Sequence, residues 1–321
     1  MIHFRHNLLL FCPLLALLFC SSCGKSYNEL AGYAQGGIWT VKCSGGDIGA
    51  EQLKEGLDSI LAVIDRAVSG YNPGSLLSKY NAGIKITDDG SAEYGVFRDL
   101  CEFCASIYIA TGGVVDCRAA ALYDIWGFGF KNGQMPDEAA VKAAMKDRSK
   151  LNFNAVAQGY SADLMAEYLK RHGVQDMLVN IGGEMFCRGL NPKGEPWSIG
   201  IDTPRDGNNE PGKDLSRIFR VRRECAVVTS GNYRKFYVRD GIKYSHSIDP
   251  RTGRPVSHNL LSATVIAPSS ALADALATYC MVVGMDEARQ FILSREDLEA
   301  CLISGDGIWE SPGFGDTTSN R

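Results

Sequence analysis

The sequence predicts an α+β fold, with a mainly antiparallel sheet and packed helices in a single domain. Three observations predict it. Apolar residues recur at helical spacing in some segments and at strand spacing in others. Strands and helices come in runs rather than in strict βα alternation, which favours an antiparallel sheet. No internal repeat, low-complexity tract or clean linker divides the 321 residues.

The composition is that of a globular protein. Hydrophobic residues make up 45% and charged residues 22% of the chain, which excludes a disordered, collagen-like or multi-span membrane protein. The 33 Lys and Arg residues nearly balance the 37 Asp and Glu residues, for a net charge of −4. Proteins that bind nucleic acid usually carry a basic excess or a basic stripe. We therefore expect no nucleic-acid partner.

The first residues form an export segment rather than part of the fold. A basic pair precedes an apolar run from Leu8 to Phe19, which is too short to span a bilayer and fits a signal-peptide core. The small residues before Cys23 resemble a bacterial lipoprotein signal. We expect a signal peptide over 1–22, a tether over 23–33, and a lipoprotein anchored in the inner or outer membrane and facing the periplasm. An ordinary secretory signal is the alternative.

Periodicity predicts the elements of the domain, which we place at 34–304, before a polar tail at 305–321. Leu53, Leu57 and Ile64 recur at helical spacing and predict an amphipathic helix over 48–68. The other predicted helices cover 95–110, a segment opened by Pro136-Asp137-Glu138, 159–172, 270–283 and 286–293. The predicted strands are 38–41, 177–181, 197–201, 217–221, 225–229, 236–239, 243–248, 261–266 and 299–303.

The domain's eight cysteines are scattered and do not form a dense disulfide framework. Cys101 and Cys104 form a CxxC, but they lie inside a helical pattern with Leu100 and Ile107. Redox CxxC pairs usually lie on a turn or at a helix N-terminus, where the thiolate is stabilised. Two core residues are therefore favoured over a thiol oxidoreductase.

The small-residue helix over 270–283 carries a candidate metal site. It is apolar nearly all round except for Asp274 and Thr278, which are four residues apart and share a face. A carboxylate and a hydroxyl suit Mg²⁺, which takes few protein ligands and completes its shell with phosphate and water. The alternative is that Asp274 accepts backbone N–H groups in the core while Thr278 bonds back to the helix. This segment alone leaves both interpretations open.

Polar residues cluster at a second place, Tyr244 to Gly253. Strand alternation would put Tyr244, His246 and Ile248 on one face until Asp249-Pro250 starts a turn. A lone histidine is more often structural than catalytic, but this one stands at a strand-to-turn junction, where sites tend to lie. No G-x-G-x-x-G or Walker loop occurs, which disfavours the standard dinucleotide folds.

Taken together, these segments resemble the ApbE family of FAD:protein FMN transferases. The resemblance covers essentially the whole mature chain, and its motifs occur in the family's order. They are Leu77-Ser78-Lys79-Tyr80-Asn81, Val115-Asp116, Trp126-Gly127-Phe128-Gly129, Ala157-Gln158-Gly159-Tyr160-Ser161-Ala162-Asp163, Leu178-Val179-Asn180-Ile181-Gly182-Gly183, Thr229-Ser230-Gly231, Ser245-His246-Ser247-Ile248-Asp249-Pro250-Arg251-Thr252-Gly253 and Ala273-Asp274-Ala275-Leu276-Ala277-Thr278.

The resemblance implies a T-fold-like domain and a Mg²⁺-dependent transfer of FMN from FAD to a Thr or Ser hydroxyl of an exported flavoprotein, with release of AMP. It implies that Asp274, Thr278 and a main-chain oxygen at Ala157 hold the metal, and that His246 lies beside the reacting phosphates. The implied flavin-nucleotide site consists of Gln35, Tyr71, Asp116, Cys117, Arg118, Asn154, Tyr160 and the neighbourhood of Ile248.

The chain departs from the family pattern at four places, one of which is Ala120-Ala121-Leu122, where the family usually has Gly-Pro-Leu after Asp116. Gln158 stands where the family often has Lys, Asn232 where it often has Asp, and Arg118 where it often has Thr. Gln158 removes a positive charge near the phosphates, and Arg118 can restore one. Two other functions stay open: an FAD pyrophosphatase that uses water as the acceptor, and a lipoprotein that binds FAD without turnover.

Overall fold

The computed structural model describes residues 26–128, 135–208, 210–233, 236–239 and 242–315. The signal peptide and Cys23 lie outside the described residues, as do Gly129 and the last part of the polar tail. Among the described residues, none of the helices has the length and apolar character needed to cross a bilayer.

Helices and strands alternate in runs along the chain. The helices are α1 (Ala50–Val68), α2 (Leu76–Asn81), α3 (Ala92–Ala110), α4 (Ala120–Ile125), α5 (Glu138–Lys146), α6 (Ala157–Arg171), α7 (Ser270–Val283) and α8 (Met285–Leu293). The strands are β1 (Tyr27–Ala34), β2 (Gly37–Ser44), β3 (Met177–Ile181), β4 (Glu184–Arg188), β5 (Trp197–Asp202), β6 (Leu215–Val221), β7 (Cys225–Gly231), β8 (Phe236–Arg239), β9 (Ile242–Ser245), β10 (Ile248–Asp249), β11 (Arg254–Pro255), β12 (Leu260–Ala267), β13 (Glu299–Ser304) and β14 (Gly307–Glu310).

One eight-stranded sheet organises the domain, in the order β1-β2-β3-β4-β7-β12-β13-β14. Every neighbouring pair in it is antiparallel. The α+β prediction with a mainly antiparallel sheet is therefore confirmed.

The sheet has a different cover on each face. On one face, α1, α3, α6 and α7 share the main core with inward-facing residues of the central strands. On the other face, the β5–β6 ribbon packs Trp197, Ile199 and Phe219 against the sheet. A third, smaller cluster joins α4 and α5 to Ile248 of β10. Near the start of α6, Gly159 packs against Ser270 at the start of α7, and β10 also contacts α7.

The sequence misassigned both edges of the sheet. Residues 27–34, which it assigned to a tether, form β1 and pair along their whole length with β2. Residues 307–310, which it assigned to a polar tail, form β14 and pair with β13. Both strands are edge strands, so they bury few side chains and carry little apolar alternation: only Leu30 of β1 is buried. The folded domain thus includes Tyr27 and extends beyond 304.

The predicted strand over 243–248 is also wrong in part. It breaks after Ser245, and His246 and Ser247 form a bend before β10. The two halves have different partners, because β9 pairs with β8 and β10 pairs with β11. Tyr244, His246 and Ile248 therefore do not share one continuous strand face. Helices α2 and α4, of six residues each, are too short to show a helical period, and the sequence does not predict them. It does not predict β4 either.

Candidate active site

Helices α6 and α7 cross in direct backbone contact at Gly159. A Cβ atom at this position would lie 2.3 Å from the Ser270 carbonyl oxygen, so only glycine fits. One turn further along α6, the Asp163 carboxylate accepts hydrogen bonds from the N–H groups of Ser270 at 2.7 Å and Ala271 at 2.9 Å. These N–H groups begin α7 and have no partner within the helix. The crossing thus fixes the start of α7 on α6.

Asp274 lies just beyond this crossing. Its side chain is buried, and its Oδ2 accepts one hydrogen bond, from the Gly159 N–H at 3.2 Å. Burial raises the pKa of Asp274 to about 7; the negative charge of Asp163 adds to the rise and the Gly159 N–H opposes it. A carboxylate with so little compensation is costly to ionise unless a cation joins it.

Thr278 lies one turn further along α7 and is half-buried. Among the described residues, the Thr278 hydroxyl makes no hydrogen bond back to a carbonyl of its helix. It differs in this from the Thr111 hydroxyl at the C-cap of α3, which donates to the Ile107 carbonyl at 2.7 Å. Nor do any three His, Cys, Asp or Glu side chains of the described ranges form a metal cluster. The donors present, one buried carboxylate and one hydroxyl, fit Mg²⁺ with phosphate and water as its other ligands.

The β1–β2 turn reaches the start of α6. Gln35 is the one described residue other than glycine with a positive φ, at 51°, a conformation that costs free energy in a non-glycine residue. Its Nε2 donates to Ser161 Oγ at 2.5 Å, and the Ser161 hydroxyl donates to the Ala157 carbonyl at 2.7 Å. The predicted flavin residue Gln35 is therefore connected to the predicted metal ligand Ala157 through Ser161.

A buried carboxylate with two arginines lies in the loop after α3. The side chain of Asp116 is 1% exposed, and it binds the Arg118 Nε at 3.0 Å and the Arg148 Nη1 at 2.6 Å. The Arg118 guanidinium also lies over the Tyr108 ring, 4.5 Å from its centroid. Both arginine side chains stay about two-fifths exposed. Two positive charges on one carboxylate leave a net charge of +1 facing solvent.

The other predicted flavin residues surround this loop. The Cys117 carbonyl accepts from the Asn152 N–H at 2.7 Å, and Asn154, two residues on, is exposed. Tyr160 is half-buried on α6, and its hydroxyl donates to the Asp99 carboxylate of α3. Burial raises the pKa of Tyr160 to about 12, and the negative charge of Asp99 adds to the rise.

Two further predicted residues differ sharply in exposure. Tyr71, in the loop between α1 and α2, is 81% exposed, as expected of a side chain that stacks on a ligand and not of a core residue. The Ile248 side chain is buried in the cluster with Leu122 and Trp126. At Ile248, only the backbone and neighbouring groups are accessible to a nucleotide.

His246 is half-buried in the bend between β9 and β10, with its ring edge-on to Phe128 at 6.4 Å between centroids. The bend is held from two sides. Trp126 stacks on Tyr244 and donates to the Gly253 carbonyl at 2.8 Å, and β10 contacts α7. The histidine thus belongs to a segment that packs between Trp126 and α7, the helix of Asp274.

The departures from the family pattern have structural consequences. The Gln158 amide lies against Gly182 in the β3–β4 turn. The Asn232 Nδ2 donates to the Leu260 carbonyl at 2.9 Å, a bond that an aspartate carboxylate has no hydrogen to make.

Three residues escaped the sequence analysis of the site: Asp163, Ser161 and Arg148. The first two stand in the quoted 157–163 motif at helical spacing from Ala157 and Gly159, which was a usable signal. Arg148 carries no local signal, because its partner Asp116 is 32 residues away.

Comparisons with known proteins identify the family of the chain. The sequence model of the ApbE family matches residues 36–302. The FAD:protein FMN transferase of Escherichia coli K12 is 31% identical over 315 residues, which cover 89% of this chain and 87% of that protein. Its counterpart from Salmonella typhimurium is 32% identical over 314 residues, with the same coverage. Among solved structures, the chain is similar to the apo form of the Pseudomonas stutzeri flavinyl transferase ApbE, with a TM-score of 0.78, 28% identity and coverage of 91% of this chain and 97% of that one.

Proposed function

The chain belongs to the ApbE family, and from this membership we propose that it transfers FMN from FAD to a serine or threonine hydroxyl of a flavoprotein acceptor and releases AMP. It is an FAD:protein FMN transferase, an enzyme that moves a phosphorus-containing group, as its relatives are named. The observation that carries the proposal is the α6–α7 crossing, where a buried and poorly compensated Asp274 lies one turn from a half-buried hydroxyl, that of Thr278.

In this reaction the acceptor oxygen bonds to the phosphorus of the FMN half, and the bond from that phosphorus to the AMP oxygen breaks. Such transfers depend on charge neutralisation and in-line positioning. The Asp274 carboxylate, the Thr278 hydroxyl and the Ala157 carbonyl would hold Mg²⁺. When bound, the metal supplies positive charge to the pyrophosphate.

The remaining roles belong to side chains around this point. We assign to His246 the acceptance of the proton from the attacking hydroxyl, a role typically worth ~10²–10⁴-fold in rate. Arg118, with Arg148 beside it, offers positive charge to phosphate oxygens in place of the lysine that Gln158 replaces. The Tyr71 side chain, which is 81% exposed, would stack on a flavin or adenine ring.

The test is to incubate the protein with FAD, Mg²⁺ and candidate flavoprotein domains, and to measure AMP release and the mass of the acceptor. Transfer gives AMP together with a covalent FMN on the acceptor. AMP release without any acceptor would indicate the pyrophosphatase instead, and FAD binding without AMP would indicate a binding protein. Thr278→Val and Thr278→Ser are matched controls, because only the serine keeps the hydroxyl and should retain activity.

We also propose that the protein is a lipoprotein anchored through Cys23, with its domain outside the cytoplasm. The support is the sequence of the export segment alone. The acceptor would then be an exported flavoprotein that meets the enzyme at the membrane.

A further inference from the structure

Three cysteines lie together where α3 faces the loop of Asp116 and Arg118. Cys101 and Cys104 are one turn apart on α3, and Cys117 stands between the two charged residues of the loop. All three are free thiols. Cys104 belongs to the main core, and Cys101 and Cys117 pack against that core from the side. The Cys104 and Cys117 thiols hydrogen-bond to each other. The fold thus joins sulfurs that are 13 residues apart and on different elements.

We propose that Cys104 and Cys117 form a thiol–disulfide exchange site, at which a small-molecule disulfide oxidises the pair to an intramolecular disulfide between α3 and the flavin loop. In the sequence, Cys101 and Cys104 form the CxxC pair, and because both lie within α3 that pair is disfavoured for a redox role. The structure supplies a different pair, and only one of its members is on the helix.

The two thiols differ in the way that exchange requires. Cys117 is half-buried, and its pKa is lowered, mainly by the hydrogen bond from Cys104 and also by Arg118, against the opposing effects of burial and Asp116. The same contact and burial raise the pKa of Cys104 far above its ordinary value. Cys104 lies in the core and Cys117 is only half-buried, so a small disulfide can reach Cys117 first. Cys117 is therefore the attacking thiolate and Cys104 the resolving thiol.

The reaction balances in two steps. The Cys117 sulfur attacks one sulfur of the small disulfide, forms a mixed disulfide and releases the first small thiolate. That thiolate takes the proton of Cys104, whose sulfur then attacks the Cys117 sulfur and releases the second small thiolate, which takes a proton from water. Two protein thiols are oxidised to one disulfide, and the small disulfide is reduced to two thiols.

The bond would affect the flavin loop. A disulfide brings its sulfurs to about 2.05 Å, well inside hydrogen-bonding contact, so Cys117 must move towards α3. Its backbone is held by the Asn152 N–H at 2.7 Å, and the Arg118 N–H is held by Asp116 at 3.0 Å. The movement therefore strains the loop, and we expect weaker FAD binding in the oxidised protein. This consequence, unlike the disulfide itself, rests on the proposed function.

The first experiment treats the folded protein with excess glutathione disulfide or with dithiothreitol, and counts alkylatable thiols by intact mass after denaturation. Oxidation should remove two thiols, and peptide mapping should link Cys104 to Cys117. Cys101→Ser should keep the loss of two thiols, whereas Cys104→Ser and Cys117→Ser should each abolish it. An unchanged thiol count, a stable mixed disulfide with glutathione, or a link through Cys101 would overturn the proposal.

The second experiment titrates FAD into the oxidised and reduced protein without acceptor. The dissociation constant should rise at least about threefold on oxidation, and Cys104→Ser should show the same value under both conditions. Equal affinities in a protein shown to carry the disulfide would overturn the coupling to FAD. If the protein bound no FAD in either state, the proposed function would fail while the thiol count still decided the exchange site.

Discussion

Replacing Asp274 with asparagine separates the charge of this side chain from its shape. The folded-state pKa of about 7 lies about three units above the ordinary value of 3.8. At about 1.36 kcal/mol per unit, ionisation of Asp274 destabilises the metal-free fold by about 4 kcal/mol at pH 7–8. Asparagine removes that cost and keeps an oxygen for the Gly159 N–H. Its own amide then needs a partner, which costs about 1–3 kcal/mol, so the net gain is about 2 kcal/mol.

The sign of the pH dependence follows from the raised pKa. The penalty is absent below the unfolded-state pKa, grows as the pH rises from about 4, and is complete above the folded-state value. With metal removed by a chelator, Asp274→Asn should therefore unfold a few degrees above the wild type at pH 8. The difference should shrink as the pH falls and reverse by about pH 4, where only the cost of the asparagine amide remains. Asp286→Asn, an exposed aspartate in the first turn of α8, is the control, with an expected effect below about 1 kcal/mol.

Activity should move in the opposite direction. Loss of a metal ligand removes several kcal/mol of charge stabilisation, so AMP release should fall by at least about 100-fold. The assays are thermal unfolding of both proteins with and without Mg²⁺ and FAD, beside AMP release. A variant that is strongly destabilised without metal and still releases AMP would refute the metal-site assignment. It would mean that the Asp274 carboxylate stabilises the core by accepting hydrogen bonds from backbone N–H groups.

Three other predictions use the same protein. Tyr71→Ala should weaken FAD binding about tenfold, because base–aromatic stacking is worth roughly 1–3 kcal/mol; an unfolded variant with normal FAD affinity in its folded fraction would contradict this. Arg148→Gln should lower the free energy of unfolding by about 2 kcal/mol, since it leaves one oxygen of the buried Asp116 without its partner. The control is Lys142→Gln, which removes an exposed ion pair and should lower the free energy of unfolding by less than about 0.5 kcal/mol. Urea titration of both variants measures the difference. Cys23→Ala should release the protein from the membrane fraction or block its processing, and an unchanged mass and fraction would reject the lipid anchor.

Much of the fold follows from local pattern. The period of α1 places Leu53, Leu57 and Ile64 in the core, where the structure has them, because a continuous apolar stripe must face the sheet. The antiparallel sheet follows from the runs of strands. The edges do not: β1 and β14 bury few side chains, so the hydrophobic pattern that reveals a strand is weak in them.

The residues of the site also fall into those that sequence spacing brings together and those that only the fold brings together. Asp274 and Thr278 are one turn apart on a helix, so sequence spacing alone puts them on a shared face. Gln35 with Ser161, Asp116 with Arg148 and Cys104 with Cys117 are brought together only by the fold. Each of these pairs joins different elements, and the free energy that holds them together comes from the packing of α3, α6 and α7 on the sheet. Contacts between packed elements leave no periodic pattern in the sequence, and for that reason only the tertiary structure determines which of these residues meet.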